Sequence, residues 1–446
     1  MLLIRGGRVY TGRQGAGDQE TGHRGDGGQE TGRQSAGGQE TGRQEAGNHE
    51  TGRQGTGRQG VRDTGTFLDI LIKDGKISKI GSAGSIPMVH DMDILDATGL
   101  IVAPGLVDMH VHFREPGFEY KEDILTGAAA AAAGGVTTCC CMPNTSPVVD
   151  NTETVETLVN KAKKAPMAVV PIGAVTVSQQ GKELTEFASL ISAGVVALSD
   201  DGIPIHSDKV MREALQQANK NDVLIISHCE PEEFMAARDV KLAGETGTRV
   251  HIAHVSTADA VDTIRNAREA GIKVTAETCP HYFTLTESAV KVKGTLARMN
   301  PPLRTKKDVE AIVIGLCDGT IDVIATDHAP HSIEEKALPF DKAPNGIIGL
   351  ETSLALALTF LYHSGKLGID DIIDLMSTQP AKILKIEAGN LKEGGAADIV
   401  IFDPDEKWTV DPSLFKSKAR NTPFGGMKLR GKVKYTISHG RIVYRK

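Results

Sequence analysis

The stretch PGLVDMHVHFREPG, residues 104–117, decides how the rest of the chain is read. It is an apolar, strand-like run with two histidines near its end, followed after Phe113 by Arg-Glu-Pro-Gly, a pattern that ends a strand and opens a loop. On a strand, residues i and i+2 share a face, so His110 and His112 can reach one ion. The same spacing would also suit two buried imidazoles satisfied by backbone carbonyls. Arg114 puts a guanidinium two residues further on, where a bound anion would meet it. The two readings separate on whether metal-competent residues recur at the ends of other strands.

Working outward, eight apolar β-like runs follow one another: 106–112, 135–142, 167–176, 194–200, 223–229, 249–255, 272–278 and 321–326. The segments between them suit helices, for example 128–133 (six alanines), 207–220 (SDKVMREALQQANK) and 258–270 (ADAVDTIRNAREA). Eight consecutive β-α units predict an α/β fold with a closed parallel barrel, the (β/α)8 or TIM barrel, rather than an open sheet. In such barrels the chemistry sits at the C-terminal ends of the strands. Those ends read His110, His112 and Arg114; then Met142-Pro143-Asn144-Thr145; Asp200-Asp201-Gly202; His228-Cys229-Glu230; His254; and Asp327-His328-Ala329-Pro330-His331. Four histidines and two aspartates form a nitrogen-oxygen donor set suited to zinc, with manganese or cobalt as alternatives. Six donors exceed one tetrahedral zinc and suit two metals about 3.5–4 Å apart, with a bound water of pKa near 7 as nucleophile. Of the adjacent Asp200 and Asp201 only one can face the metals. His251 and His328 fall on opposite faces of their strands and read as structural. His281 reads as a supporting or structural residue, and His90, His206, His363 and His439 as solvated.

The 446 residues allow more than one domain, and the net charge of −7 argues against a nucleic-acid or anionic-membrane partner. Without a bilayer-length apolar run or a signal peptide, the expected location is the cytoplasm. Six cysteines, three of them consecutive (Cys139, Cys140, Cys141), make no disulfide framework and read as small buried apolar groups in a reducing compartment. Residues 11–66 are low-complexity, with TGRQ-like units at Thr11, Thr21, Thr31, Thr41 and Thr51, and read as a disordered insertion. Its flanks, MLLIRGGRVY and Phe67–Gly81 with an Asp74-Gly75 turn, share their alternating style with 397–403 and with 432–444, which turns at His439-Gly440. We therefore expect a small β-sandwich domain from residues 1–10, 67–103 and 391–446, and a catalytic barrel from 104–390.

Together, in order, the runs DMHVHFREPGFEYKEDILTG (108–127), MPNT (142–145), SDDG (199–202), HCE (228–230), HVST (254–257), MNPPLR (299–304) and ATDHAPH (325–331) resemble the class I dihydroorotases of the amidohydrolase superfamily. The similarity spans about residues 67–446. It implies that His110 and His112 bind one metal and His228 and His254 the other. It further implies that Asp201 bridges the two and that Asp327 is both ligand and proton shuttle. Arg114, Asn144 and His331 then hold a substrate carboxylate, Asn300 makes a further contact, and the backbone of Asn345-Gly346 meets the ring. The chain departs from the family at Asn345, where members often have Phe, and in a shorter stretch between His228 and His254. The implied reaction is the reversible, zinc-dependent hydrolysis of (S)-dihydroorotate to N-carbamoyl-L-aspartate, third step of pyrimidine biosynthesis, by an enzyme that self-associates or associates with a carbamoyltransferase. Related hydrolases bridge their metals with a carboxylated lysine, and VVALSDDG has none. The rival readings are a hydantoin- or allantoin-hydrolysing relative, which needs no Arg for a ring carboxylate, and a catalytically silent scaffold, which would be expected to lose ligands.

Overall fold

The computed structural model describes residues 1–10 and 65–446, so the expected insertion lies almost wholly outside the described residues. Strands β1 (Leu2–Val9), β2 (Thr66–Lys73), β3 (Lys76–Ser82), β4 (Asp93–Asp96) and β5 (Ile101–Pro104) come first. Eight short strands follow: β6 (Leu106–Val111), β7 (Val136–Cys141), β8 (Ala168–Pro171), β9 (Ala197–Leu198), β10 (Leu224–Ser227), β11 (Val250–Ile252), β12 (Val274–Thr278) and β13 (Val323–Ile324). The last three are β14 (Ile399–Thr409), β15 (Lys428–Ser438) and β16 (Arg441–Arg445).

The eight central strands coincide with the eight apolar runs, and they close into a parallel barrel. β6 to β8 and β9 to β13 are two hydrogen-bonded parallel sets. Bridges between Gly173 and Leu198 and between Val111 and His328 join the sets at both seams, and His112 N donates to His328 O at 2.8 Å. One apolar cluster takes residues from strand after strand (Met109, Cys140, Ala197, Leu224, Ile226, Val323) and fills the inside. A larger one lies between the strands and the surrounding helices.

Those helices start where the sequence offers caps. Asp123 and Thr126 form a reciprocal capping box on Ile124–Ala133, Ser207 caps Asp208–Lys220, and Thr257 caps Ala258–Glu269. Among the described residues no helix is long and apolar enough to cross a membrane. The six cysteines are free, and all but Cys317 are buried.

The strands from the two chain ends build the separate, largely antiparallel sheet of the expected β-sandwich. They form one eight-stranded sheet in the order β16-β15-β14-β5-β1-β2-β3, with β4 on β1. A bridge from Lys76 to Ala396 brings β3 back to the chain just ahead of β14, so the sheet folds over a core of Ile4, Ile70, Ile77, Val102, Ile399 and Ile437. Both expected turns occur. Asp74 and Gly75, and likewise His439 and Gly440, all have positive φ, as tight hairpins require. The sheet also supports the barrel: Thr436 Oγ1 donates to Ala132 O at 2.6 Å, and Val400 packs against Gly135.

Candidate active site

The strand-end residues meet at the C-terminal mouth of the barrel. The pairing of β6 with β7 shifts register between Asp108 and Val111, at the end of β6. His110 and His112 come out with ring centroids 5.4 Å apart, their Nε2 atoms each 3.4 Å from a different oxygen of Asp201. On the other side, His228 Nδ1 and His254 Nε2 each lie 3.5 Å from Asp201 Oδ1. One carboxylate therefore faces all four imidazoles. Asp327 Oδ1 stands 3.0 Å from His112 Nε2 and 3.5 Å from His110 Nε2. His110, His112 and Asp327 form one compact donor triad, and Asp201, His228 and His254 form another.

The neighbouring Asp200 turns away and accepts from Val175 N (2.8 Å) and Thr176 N (3.0 Å). The two adjacent carboxylates separate where the chain leaves β9 and turns, with Ile203 N donating to Asp200 O at 2.9 Å. His110 Nε2 and Asp201 Oδ1 are buried without a hydrogen-bond partner, a costly state for polar atoms unless something else coordinates them. Four nitrogens and two carboxylates fit a pair of divalent cations. Burial alone would raise the Asp201 carboxyl, but His110, His228 and His254 hold it well below the usual carboxylate range. Three cleft residues other than glycine, Arg114, His254 and Asp327, have positive φ, the kind of local strain that clusters at functional sites.

Beside the triads lies a cleft of about 190 Å³ that takes in every expected site residue except the fully buried His110. Arg114 Nε donates to Pro330 O at 3.2 Å, and its Nη2 lies 3.3 Å from His331 Nε2. Burial, then the charges of Arg114 and Lys121, push the His331 pKa down to about 3, so this imidazole stays neutral beside the guanidinium. Asn144 also supports a histidine, with its Oδ1 2.9 Å from His112 Nδ1. Asn300 Nδ2 donates to Glu230 Oε2 at 2.8 Å. The Asn345 side chain accepts from Arg298 Nε (2.9 Å), while its backbone oxygen lies 2.8 Å from His331 Nε2. Gly346 donates its N–H to Arg298 O, and its carbonyl accepts from Lys336 Nζ and Asn421 Nδ2.

Sequence reasoning passed over four residues that shape this site. Glu277, on β12, lies with Oε1 2.5 Å from His110 Nδ1. Glu230 stands in the HCE run without an assigned role; the His228 imidazole 3.7 Å away and the hydrogen bond from Asn300 hold its pKa down to about 2. Lys336 is buried, its ammonium capped by the carbonyls of Arg298, Pro344 and Gly346, and burial lowers its pKa to about 8. Asn421, from the chain's C-terminal part, ties His331 N, Ala329 O and Gly346 O together. Only the position of Glu277 near the end of a barrel strand gave a usable signal.

Of the histidines set aside, His251 is buried on Thr275 Oγ1 (2.8 Å) and His328 accepts from Gly349 N (3.2 Å). His281 is buried against the Tyr282 ring. His363 departs from expectation: it is half-buried, with Nε2 2.8 Å from the backbone oxygen of Pro404 in β14.

A model of the amidohydrolase family matches residues 101–443. Among curated proteins, a dihydroorotase of Acetivibrio thermocellus is 48% identical over 411 residues, covering 86% of this chain and 96% of that protein. A dihydroorotase of Citrifermentans bemidjiense is 47% identical over 405 residues, with 84% and 95% covered. Among solved structures, the L-hydantoinase from Arthrobacter aurescens matches with a TM-score of 0.81, covering 100% of this chain and 96% of that one at 24% identity, a likeness of fold.

Proposed function

The chain belongs to the amidohydrolase family, and from that premise we propose that it acts as a dihydroorotase. It opens the ring amide of (S)-dihydroorotate to give N-carbamoyl-L-aspartate, and closes it in the biosynthetic direction. The observation that carries this reading is the Arg114–His331 pair, a half-buried guanidinium against a buried imidazole, beside the two donor triads. A hydantoin needs no such anion subsite, whereas a ring carboxylate does. Zinc is the cation that best fits four imidazoles and two carboxylates. His110, His112 and Asp327 would hold one ion, His228 and His254 the other, with Asp201 between them.

Bound there, the metals supply a water of lowered pKa and a Lewis acid for the amide carbonyl. The chain's own residues do the rest. Arg114 offers a planar fork to the substrate carboxylate, backed by neutral His331 and by Asn144. Asn300 and the Asn345-Gly346 loop orient the ring. As water oxygen bonds to the carbonyl carbon and the ring C–N bond breaks, an Asp327 carboxylate oxygen takes the water proton and delivers it to the departing nitrogen. Residues 104–390 serve as the catalytic unit, and free buried cysteines suit a cytoplasmic location.

The test is metal quantification on purified protein together with turnover of dihydroorotate, hydantoin and allantoin. Two equivalents of zinc and selective turnover of dihydroorotate are expected. Preferential hydrolysis of hydantoin, or a metal-free inactive protein, would overturn the reading. A second test concerns the bridge: with Asp201 in place of a carboxylated lysine, reloading with metal should not depend on bicarbonate.

A further inference from the structure

The four imidazoles facing Asp201 are held from behind in four different ways. His112 Nδ1 meets a neutral amide, Asn144 Oδ1 at 2.9 Å. His228 Nε2 lies 3.7 Å from Glu230, whose side chain is 54% exposed. His254 Nδ1 is buried with no hydrogen-bond partner among the described residues. His110 Nδ1 alone meets a fully buried carboxylate, Glu277 Oε1, at 2.5 Å.

That carboxylate is itself built in. The other Glu277 oxygen lies 3.4 Å from His251 Nε2, and His251 Nδ1 lies 2.8 Å from Thr275 Oγ1. β11 and β12 pair in parallel with His251 opposite Thr275, so the two strands set up a line Thr275–His251–Glu277–His110 running from the barrel wall to the donor cluster. Its members His110, His251 and Glu277 are completely buried. An ionised side chain in such a place requires partners, and His110 is the closest.

We infer that Glu277 is a positioning residue for the metal centre: it accepts the proton on His110 Nδ1, fixes the tautomer that presents Nε2 to the metals, and makes His110 a better donor. A carboxylate behind a metal-ligating imidazole does both by electrostatics and by restricting ring rotation. The inference rests on the metal-site reading above, and it assigns the His110 half of the centre an anchor that the His254 half lacks.

The experiment compares the wild type with Glu277→Gln. Each is stripped of metal, then titrated with Zn2+ against a competing chromophoric chelator. Cobalt-loaded spectra and melting of the metal-free forms are recorded alongside. The expected result is a loss of zinc affinity of about 10- to 100-fold in Glu277→Gln, with an altered cobalt absorption band and a metal-free melting point near that of the wild type. A purely structural Glu277 would move the melting point and leave affinity and spectrum alone, which overturns the inference.

If Glu277→Gln does not fold, the wild type still decides the matter. Histidine 15N–1H spectra of the metal-free protein, assigned with His110→Asn, should show His110 protonated at Nδ1 with a strongly downfield proton. A proton on Nε2 instead overturns the inference. A wild type that takes up no zinc overturns the metal-site reading itself, and is distinguishable from a wild type and variant that bind zinc equally, which overturns only the role of Glu277.

Discussion

His112 Nδ1 sits 2.9 Å from Asn144 Oδ1, while the Asn144 amide also lies 3.4 Å from the backbone oxygen of Asp201. One asparagine thus links a strand-end imidazole to the loop that carries the central carboxylate. Replacing it with Ala frees His112 to rotate and removes a cleft-lining group. Asn144→Ala should lose about 10- to 100-fold in metal affinity or in activity. Zinc titration and steady-state kinetics read both, and unchanged values would separate Asn144 from the site.

Asp327 touches His112 at 3.0 Å and lines the cleft. The amide of Asp327→Asn keeps an oxygen for the metal but cannot take up a proton at neutral pH. Bound metal should persist while kcat falls by about 10²- to 10⁴-fold, the usual contribution of a positioned acid-base group. Metal analysis and kinetics on the same preparation check it; full turnover would end the shuttle assignment.

Arg114 reaches Pro330 O and His331 with two separate nitrogens, a fork that an ammonium does not reproduce. Arg114→Lys should raise KM for dihydroorotate by roughly 10- to 100-fold, the equivalent of one charged hydrogen bond. A KM within twofold of the wild type would contradict the carboxylate subsite.

Gly346 has φ +122°, and a Cβ there would lie 2.6 Å from Ala329 Cβ and 3.3 Å from His331 Nε2. Gly346→Ala must therefore shift the loop against the anion subsite. A fall in kcat/KM of about 10- to 100-fold is expected, since small misplacements at a reacting centre are costly. Kinetics with a melting curve distinguishes local displacement from global loss of fold.

Burial pushes the Glu351 carboxyl up to about 7, even though Lys416 N and Ser417 N donate to it at 2.8 and 3.1 Å. Between about pH 4.5 and 7 the folded chain keeps a proton that the unfolded chain has released. The stability tied to this group is therefore complete at low pH and is lost as pH rises through its folded value. Glu351→Gln should melt about 2 °C or more above the wild type at pH 8 and show little difference at pH 4. An equal gap at both pH values would contradict the shifted carboxyl.

Barrel strands were legible because parallel strands buried on both faces read as unbroken apolar runs, even where only two residues pair, as in Ala197–Leu198 and Val323–Ile324. Strand-end histidines were legible because imidazoles rarely recur there without cause. Glu277 was legible only by its place near the end of a strand, since a lone glutamate within VTAET does not show what it will face across the barrel. Asn421 and Lys336 escaped for a related reason: they act through backbone carbonyls of distant loops, and such partners leave no trace in residue type. The Lys76–Ala396 bridge joins segments of the chain-end sheet over 300 residues apart, and no local pattern announces it.

Val9 and Thr66 are cross-strand partners in an antiparallel pair. The chain thus departs from the sheet and rejoins it at adjacent points, a separation that a hairpin of a few residues would span. For a connection between two such neighbouring points, each doubling of length costs only about 0.6 kcal/mol of closure entropy. The end of the β1–β2 pair is consequently a point where closure entropy sets little limit on the length of the connection.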